Sequence, residues 1–241
     1  MNGQHLNPAE ALREPATAMA PDPRTGMFAG QAALSLAAHH ADIARVQLSP
    51  AVPEPIAIQY ETARNLYLYA WHVYRFYMVA ATQALTTLEF GLRERLPAQL
   101  PKPYQRTGQR KPMLAGMLRY AIDQGLVRND GFRRWHETAA HRARERRSLE
   151  AIQTMIDQDL EYVEIDDEAP VEVSPQDQQW DLVAILSDSL PSLRNQLAHG
   201  SPMLTRQVLG TLELVSEILS QLYPAQSATD SKDIKLDGRI D

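Results

Sequence analysis

"QYETARNLYLYAWHVYRFYMVAATQALTTLEFGLRERL" runs from Gln59 to Leu96, and its reading decides the fold. Leu66, Ala70, Val73, Tyr77, Ala81, Ala84, Leu88 and Leu92 recur three or four residues apart, the spacing of one face of an α-helix. Pro97 closes the run, because a proline inside a helix removes a hydrogen bond and crowds the preceding turn. The spacing therefore predicts one long helix over this stretch.

The same logic extends outward. In "KPMLAGMLRYAIDQG", Lys111 to Gly125, the residues Leu114, Met117, Leu118, Ala121 and Ile122 form a second apolar stripe, and Gly125 is its C-terminal stop. From Phe132 to about Asp159 the chain is helical in propensity but mostly charged, so this helix is expected on the surface. "EIDDEAPVEVSPQD", Glu164 to Asp177, interrupts it. Ser174 and Pro175 read as an N-cap and a first-turn proline, with Asp177 at the positive end of the helix dipole. The helix so begun carries Trp180, Val183, Ala184, Leu186 and Leu190, is kinked before Pro191, and ends at Gly200. Ser201 and Pro202 repeat the start signal for a last stripe of Leu204, Val208, Leu212, Val215, Leu219 and Leu222.

No stretch alternates long enough for a sheet, and no internal repeat is evident. The fold class is all-α, a helical bundle of four core helices plus a charged helical insertion. Residues 1–58 read as an alanine- and proline-rich leader, poorly ordered at its start and with a short helix in "GQAALSLAAHHADIARVQ". Residues 59–223 form the helical domain, 128–173 its charged insertion, and 224–241 a disordered tail.

Composition narrows the function classes. A chain of 241 residues is long enough for one substantial core. It has no cysteine, which excludes disulfide frameworks, cysteine-ligated zinc and thiol nucleophiles. Its first residues lack a secretion signal and no apolar run is long enough to span a bilayer, so the reading is cytoplasmic. The net charge of -6 argues against a general nucleic-acid coat. That average hides segregation: residues 128–147 hold seven arginines against three acids, whereas 157–177 hold nine acids and no lysine or arginine. A local arginine cluster can still meet phosphate.

One stretch carries chemistry. "LRNQLAHG", Leu193 to Gly200, places Arg194 and Asn195 five and four residues before His199. As structure alone, Gly200 ends a helix while Arg194 and His199 sit near its negative pole. As chemistry, histidine exchanges protons near neutrality and arginine offers a fork of donors to a phosphate, and neither needs a metal. At about 100° per residue, His199 shares a face with Asn195 and lies well around from Arg194. A common site then needs a loosened last turn or two subunits.

Arg194-Asn195-Gln196-Leu197-Ala198-His199 resembles the Arg-polar-x-x-x-His signature of the HEPN superfamily. "ALTTLEFGLRERL" and "MLAGMLRYAIDQGLV" are similar to the end of that family's first long helix and to its second, and the resemblance spans roughly residues 59–223. It implies a HEPN-like bundle and a metal-independent endoribonuclease needing no cofactor, of the kind found in toxin-antitoxin and phage-defence systems. His199 would then be the general base on a ribose 2′-hydroxyl, Arg194 the phosphate clamp and Asn195 a positioning residue, with a 2′,3′-cyclic phosphate as product. RNA, a second copy of the chain and an antitoxin or other regulatory protein are the partners implied. Family members that have lost cleavage serve as binding or assembly modules, which is the alternative function.

Other candidates take their places around this one. Arg142, Arg144, Arg146 and Arg147 are candidate RNA contacts beside such a signature, or else a solvated helix face. Seven of the sixteen aromatics, Tyr60, Tyr67, Tyr69, Trp71, Tyr74, Phe76 and Tyr77, crowd one helix; core or subunit interface is the first reading and base stacking the second. His136 and His141 in "HETAAH" are five apart, not the four that would share a zinc, and the adjacent His39 and His40 diverge. Glu89 and Arg93 are spaced to pair on the first helix.

Overall fold

The computed structural model describes residues 8–27, 35–105, 112–164, 166, 169–199 and 204–225. Among them are eight α-helices and no strand: α1 (Pro23–Met27), α2 (Leu36–Ala44), α3 (Glu54–Tyr69), α4 (Phe76–Arg95), α5 (Leu114–Asp123), α6 (Arg133–Asp157), α7 (Leu182–Ala198) and α8 (Leu209–Leu222). The all-α class is as the periodicity predicts. The chain forms two compact units, one of residues 1–95 and 197–241, the other of residues 96–196.

The first unit is built on α3, α4 and α8, whose apolar faces meet. Ile56 and Tyr60 of α3, Leu85, Leu88 and Leu92 of α4, and Leu212, Ile218, Leu219 and Leu222 of α8 are almost wholly buried. Each such side chain contributes about 1.5–3 kcal/mol. The buried Tyr60 hydroxyl donates to the Leu212 carbonyl at 2.7 Å, and Tyr223 donates to Gly91 at 2.9 Å. Both bonds tie α8 to the hairpin.

The long helix expected over 59–96 is two helices. α3 starts earlier, at Glu54 behind Pro53, and the chain leaves helical geometry between Ala70 and Arg75 before α4 begins. The cause lies 52 residues upstream in sequence. The Asp22 carboxylate accepts from the Tyr74 backbone N–H at 3.0 Å, while the Asp22 N–H donates to the Trp71 carbonyl at 2.9 Å. Trp71, Tyr74 and Tyr77 turn inward at this corner and are buried. Burying three rings outweighs the few hydrogen bonds a continuous helix would add.

The leader is correspondingly less loose than its composition suggests. Between Pro8 and Met27 it is pinned by Asp22, which is 1% exposed and receives both the backbone N–H and the guanidinium of Arg24. Glu10 joins Arg24 and Arg75. The short helix expected before residue 48 is α2, capped by Ser35 through Ala38 N–H at 3.1 Å.

The second unit holds α5, α6 and most of α7. Leu114, Met117, Leu118 and Ala121 of α5 point inward, and Gly125 closes the helix with φ of +66°, as the sequence predicts. Gly116 lies against the Tyr104 carbonyl, where a Cβ would collide with backbone. α6 buries only Ala139 and Ala143 along its 25 residues. α7 does not start at Ser174: residues 175–178 form a turn, and Asp181 caps the helix by accepting from Ala184 N–H at 3.2 Å. Asn129 steadies the same end, accepting from Val183 N–H at 2.9 Å. Pro191 lies inside α7, which continues beyond it to Ala198. The last helix starts at Leu209 instead of near Ser201; Gly200, Ser201, Pro202 and the tail from 226 on lie outside the described residues.

Burial raises the Asp22 carboxyl, but the hydrogen bonds from Arg24 and from the Tyr74 and Arg24 backbone outweigh it and hold the group at about 2, below its ordinary 3.8. A depressed carboxyl stabilises the fold above its unfolded value and loses that contribution as pH falls through the folded one. Asp22→Asn is therefore expected to lower unfolding free energy by roughly 2 kcal/mol at pH 7. Urea melts of parent and variant should converge as pH falls from 5 towards 2; a constant gap would show that the carboxylate charge is not what matters.

Candidate active site

The signature residues lie where α7 ends. Arg194 and Asn195 are in its last two turns and His199 follows one residue after Ala198. Asn195 and His199 are exposed, whereas Arg194 is half-buried. The outward face of α7 carries Ile185, Ser189, Ser192, Asn195 and Gln196, all exposed, consistent with their separation in multiples of three and four. Arg194 falls on the other side of the helix, as 100° per residue requires. The boundary between the two compact units passes between Gln196 and Leu197.

The four candidate arginines, Arg142, Arg144, Arg146 and Arg147 of α6, divide three to one. Arg146 pairs with Asp177 at 2.9 Å and with Glu150 at 3.3 Å, and donates to the Glu172 carbonyl at 3.0 Å. Arg147 donates to the carbonyls of Asp166 at 2.7 Å and Ala169 at 3.4 Å, and Arg142 to that of Asp177 at 3.5 Å. These three side chains hold the acidic segment along α6. Arg144 is exposed, and among the described residues nothing engages its guanidinium. It is the member of the group left open to solvent.

Asp177 is the anchor of this arrangement. Its carboxylate receives Arg146 and also the Ser174 N–H and hydroxyl, each at 2.8 Å. The Ser174-Pro175 signal thus makes a tight turn with Asp177 in place of a helix start. Arg146 first and Ser174 second hold the Asp177 carboxyl well below the ordinary carboxylate range. Sequence reasoning missed this use of the charges, although a basic block followed at close range by an acidic one was a legible sign of pairing.

The aromatic cluster is core in the main. Tyr60, Tyr67, Trp71, Tyr74 and Tyr77 are buried, Phe76 is half-buried and Tyr69 is exposed. Tyr77 meets Tyr67 and Tyr74 edge-on, with ring centroids 5.4 and 5.1 Å apart, the favoured aromatic geometry. Glu89 and Arg93 pair as their spacing suggests. His136 bonds the Asp130 carbonyl at 2.8 Å and His141 lies 3.3 Å from Glu145, so the two serve separate local contacts. Among the described residues no group of three or more His, Asp or Glu side chains is placed to hold a metal ion, and no helix is long and apolar enough to cross a membrane. No protein-family model, curated protein or solved structure matches the chain at a significant level.

The division among the arginines is open to experiment. Arg146→Ala and Asp177→Asn should each expose the segment from 158 to 181 to protease, and acidification below the ordinary carboxylate range should loosen the parent likewise. Arg144→Ala should leave cleavage unchanged. Equal sensitivity in all three variants would contradict the assignment.

Proposed function

We propose that the chain is a metal-independent endoribonuclease of the HEPN type, acting as a toxin or defence effector. The observation that carries this reading is the exposure of Asn195 and His199 at the end of α7, the helix that also carries Arg194. A histidine held in a core would have no access to a substrate. On this reading His199 takes the proton of a ribose 2′-hydroxyl, and the 2′-oxygen attacks phosphorus. The bond to the 5′-oxygen breaks, and that oxygen receives a proton as a 2′,3′-cyclic phosphate forms. Arg194 holds the non-bridging oxygens through its planar fork, and Asn195 orients the imidazole. Arg144 meets phosphate farther along the strand.

Arg194 and His199, five residues apart, project about 140° from one another around a regular helix. A second copy relieves this constraint, because Arg194 of one protomer can then serve His199 of its partner. The reading therefore includes a homodimer through a surface that includes α7. An assembly module without cleavage is the alternative, and a separate observation favours it: Leu149, Ile152 and Ile156 form an exposed stripe on α6, at 66%, 51% and 68% exposure. Such stripes mark protein contacts.

Incubating RNA with the purified chain and chelator separates the two. Cleavage is expected in the parent and should fall on the order of a hundredfold or more in Arg194→Ala and His199→Ala, with folding free energy changed by no more than about 0.5 kcal/mol in the exposed His199→Ala. Activity undiminished in His199→Ala would sink the mechanism. In sedimentation at micromolar concentration the parent should be a dimer that Ser192→Arg on α7 disperses. A dimer dispersed only by Ile152→Glu on α6 would support the assembly module instead.

A further inference from the structure

The first unit contains a cavity of about 80 Å³ that the signature does not use. α2 supplies its chemistry: His39 is 6% exposed, and Asp42, three residues on, is exposed. Tyr67 closes the cavity from the end of α3, Trp71 and Tyr74 from the corner, and Tyr77 from α4. Thr25 of α1, bonded to the Trp71 carbonyl at 3.2 Å, covers one side. Arg206, exposed, reaches it from the segment before α8.

The polar groups here are unspent. Tyr67 and Tyr77 are 5% and 4% exposed, yet among the described residues neither hydroxyl has a hydrogen-bond partner. Burial pushes both phenols up, Tyr77 to about 12, so both remain donors. Among the described residues no ion pair or hydrogen bond engages Arg206, and Asp42 has only a 4.0 Å contact with Arg45. Arg206 and Asp42 both act electrostatically on His39, Tyr67 and Tyr77, which places the two charges around one space. His39 stacks on Tyr67 at 4.6 Å, and its Nε2–H donates to the Tyr67 carbonyl at 2.9 Å. Burial first of all favours its neutral form.

With His39 neutral, one arginine and one aspartate give the lining no net charge. A simple anion would meet Asp42 and a simple cation would meet Arg206. A small molecule carrying both charges satisfies both. At about 30 Å³ for each water, the cavity holds roughly two to three waters, the room of the smallest amino acids. We propose that this cavity binds a small zwitterion of the α-amino-acid class, its carboxylate received by Arg206 and the Tyr67 and Tyr77 hydroxyls, its ammonium by Asp42 and the face of Trp71. Arginine suits the carboxylate, and aromatic faces suit an ammonium.

Titration calorimetry of the full chain with glycine, alanine and serine tests this, with acetate and methylammonium as single-charge controls. Saturable binding of at least one amino acid at millimolar concentration is expected, together with a rise in melting temperature, and neither control should bind. Arg206→Ala and Asp42→Asn alter exposed residues and should fold normally while abolishing the heat. Tyr67→Phe should weaken binding on the order of tenfold. Absence of binding by all three amino acids would overturn the proposal, as would binding that survives in Arg206→Ala. Acetate binding as tightly as alanine would overturn the zwitterion in favour of a plain carboxylate site.

Discussion

The first unit depends on one carboxylate. Asp22 accepts the Tyr74 N–H and grips Arg24, and its own N–H reaches the Trp71 carbonyl. These bonds satisfy backbone groups that a broken helix would leave unpaired, and an unpaired buried N–H costs about as much as a lost hydrogen bond. Because the corner is satisfied, α3 and α4 can fold against each other and turn their aromatic ends inward. α8 then closes the exposed side of the pair. The cavity exists because four rings and an imidazole meet at that corner without filling it.

The second unit solves a different problem. α6 is long and charged, with only two buried alanines on it, so little apolar area holds it in place. Arginine side chains reach across to the acidic segment instead, and Asp177 concentrates their effect by accepting Arg146 and Ser174 together. Exposed ion pairs contribute little singly; a shared carboxylate with several donors is stiffer. The same arrangement withdraws three arginines from solvent and leaves Arg144 outside.

Local signals in the sequence identified the elements that local forces control. α5 lies where its stripe and Gly125 put it, and α6 spans 133–157 where 132–159 was expected. The corner at 70–75 was illegible because "AWHVYR" has helical spacing and neither glycine nor proline; its partner, Asp22, is far away in sequence. Ser174-Pro175 misled for a related reason, since a serine-aspartate pair caps a turn as readily as a helix. At the candidate site, the end of α7 just before residue 200 followed from period and punctuation. The engagement of Arg146 and Arg147 did not, because it requires knowing which way the acidic segment returns. Nor did the meeting of His39 and Asp42 of α2 with Arg206, which comes from the distant segment before α8.

The proposed chemistry turns on which oxygen attacks phosphorus. A histidine base without a metal has the neighbouring 2′-hydroxyl as its natural nucleophile, held in place by the substrate itself, and that choice is written into the product. The most direct measurement is mass spectrometry of fragments from RNA cleaved by the purified chain in chelator, with the 3′ end of each fragment identified. A 2′,3′-cyclic phosphate that disappears when the 2′-hydroxyl at the cut is replaced by hydrogen is the predicted result. A 3′-hydroxyl end, or cleavage that continues on the deoxy-substituted strand, would contradict the account.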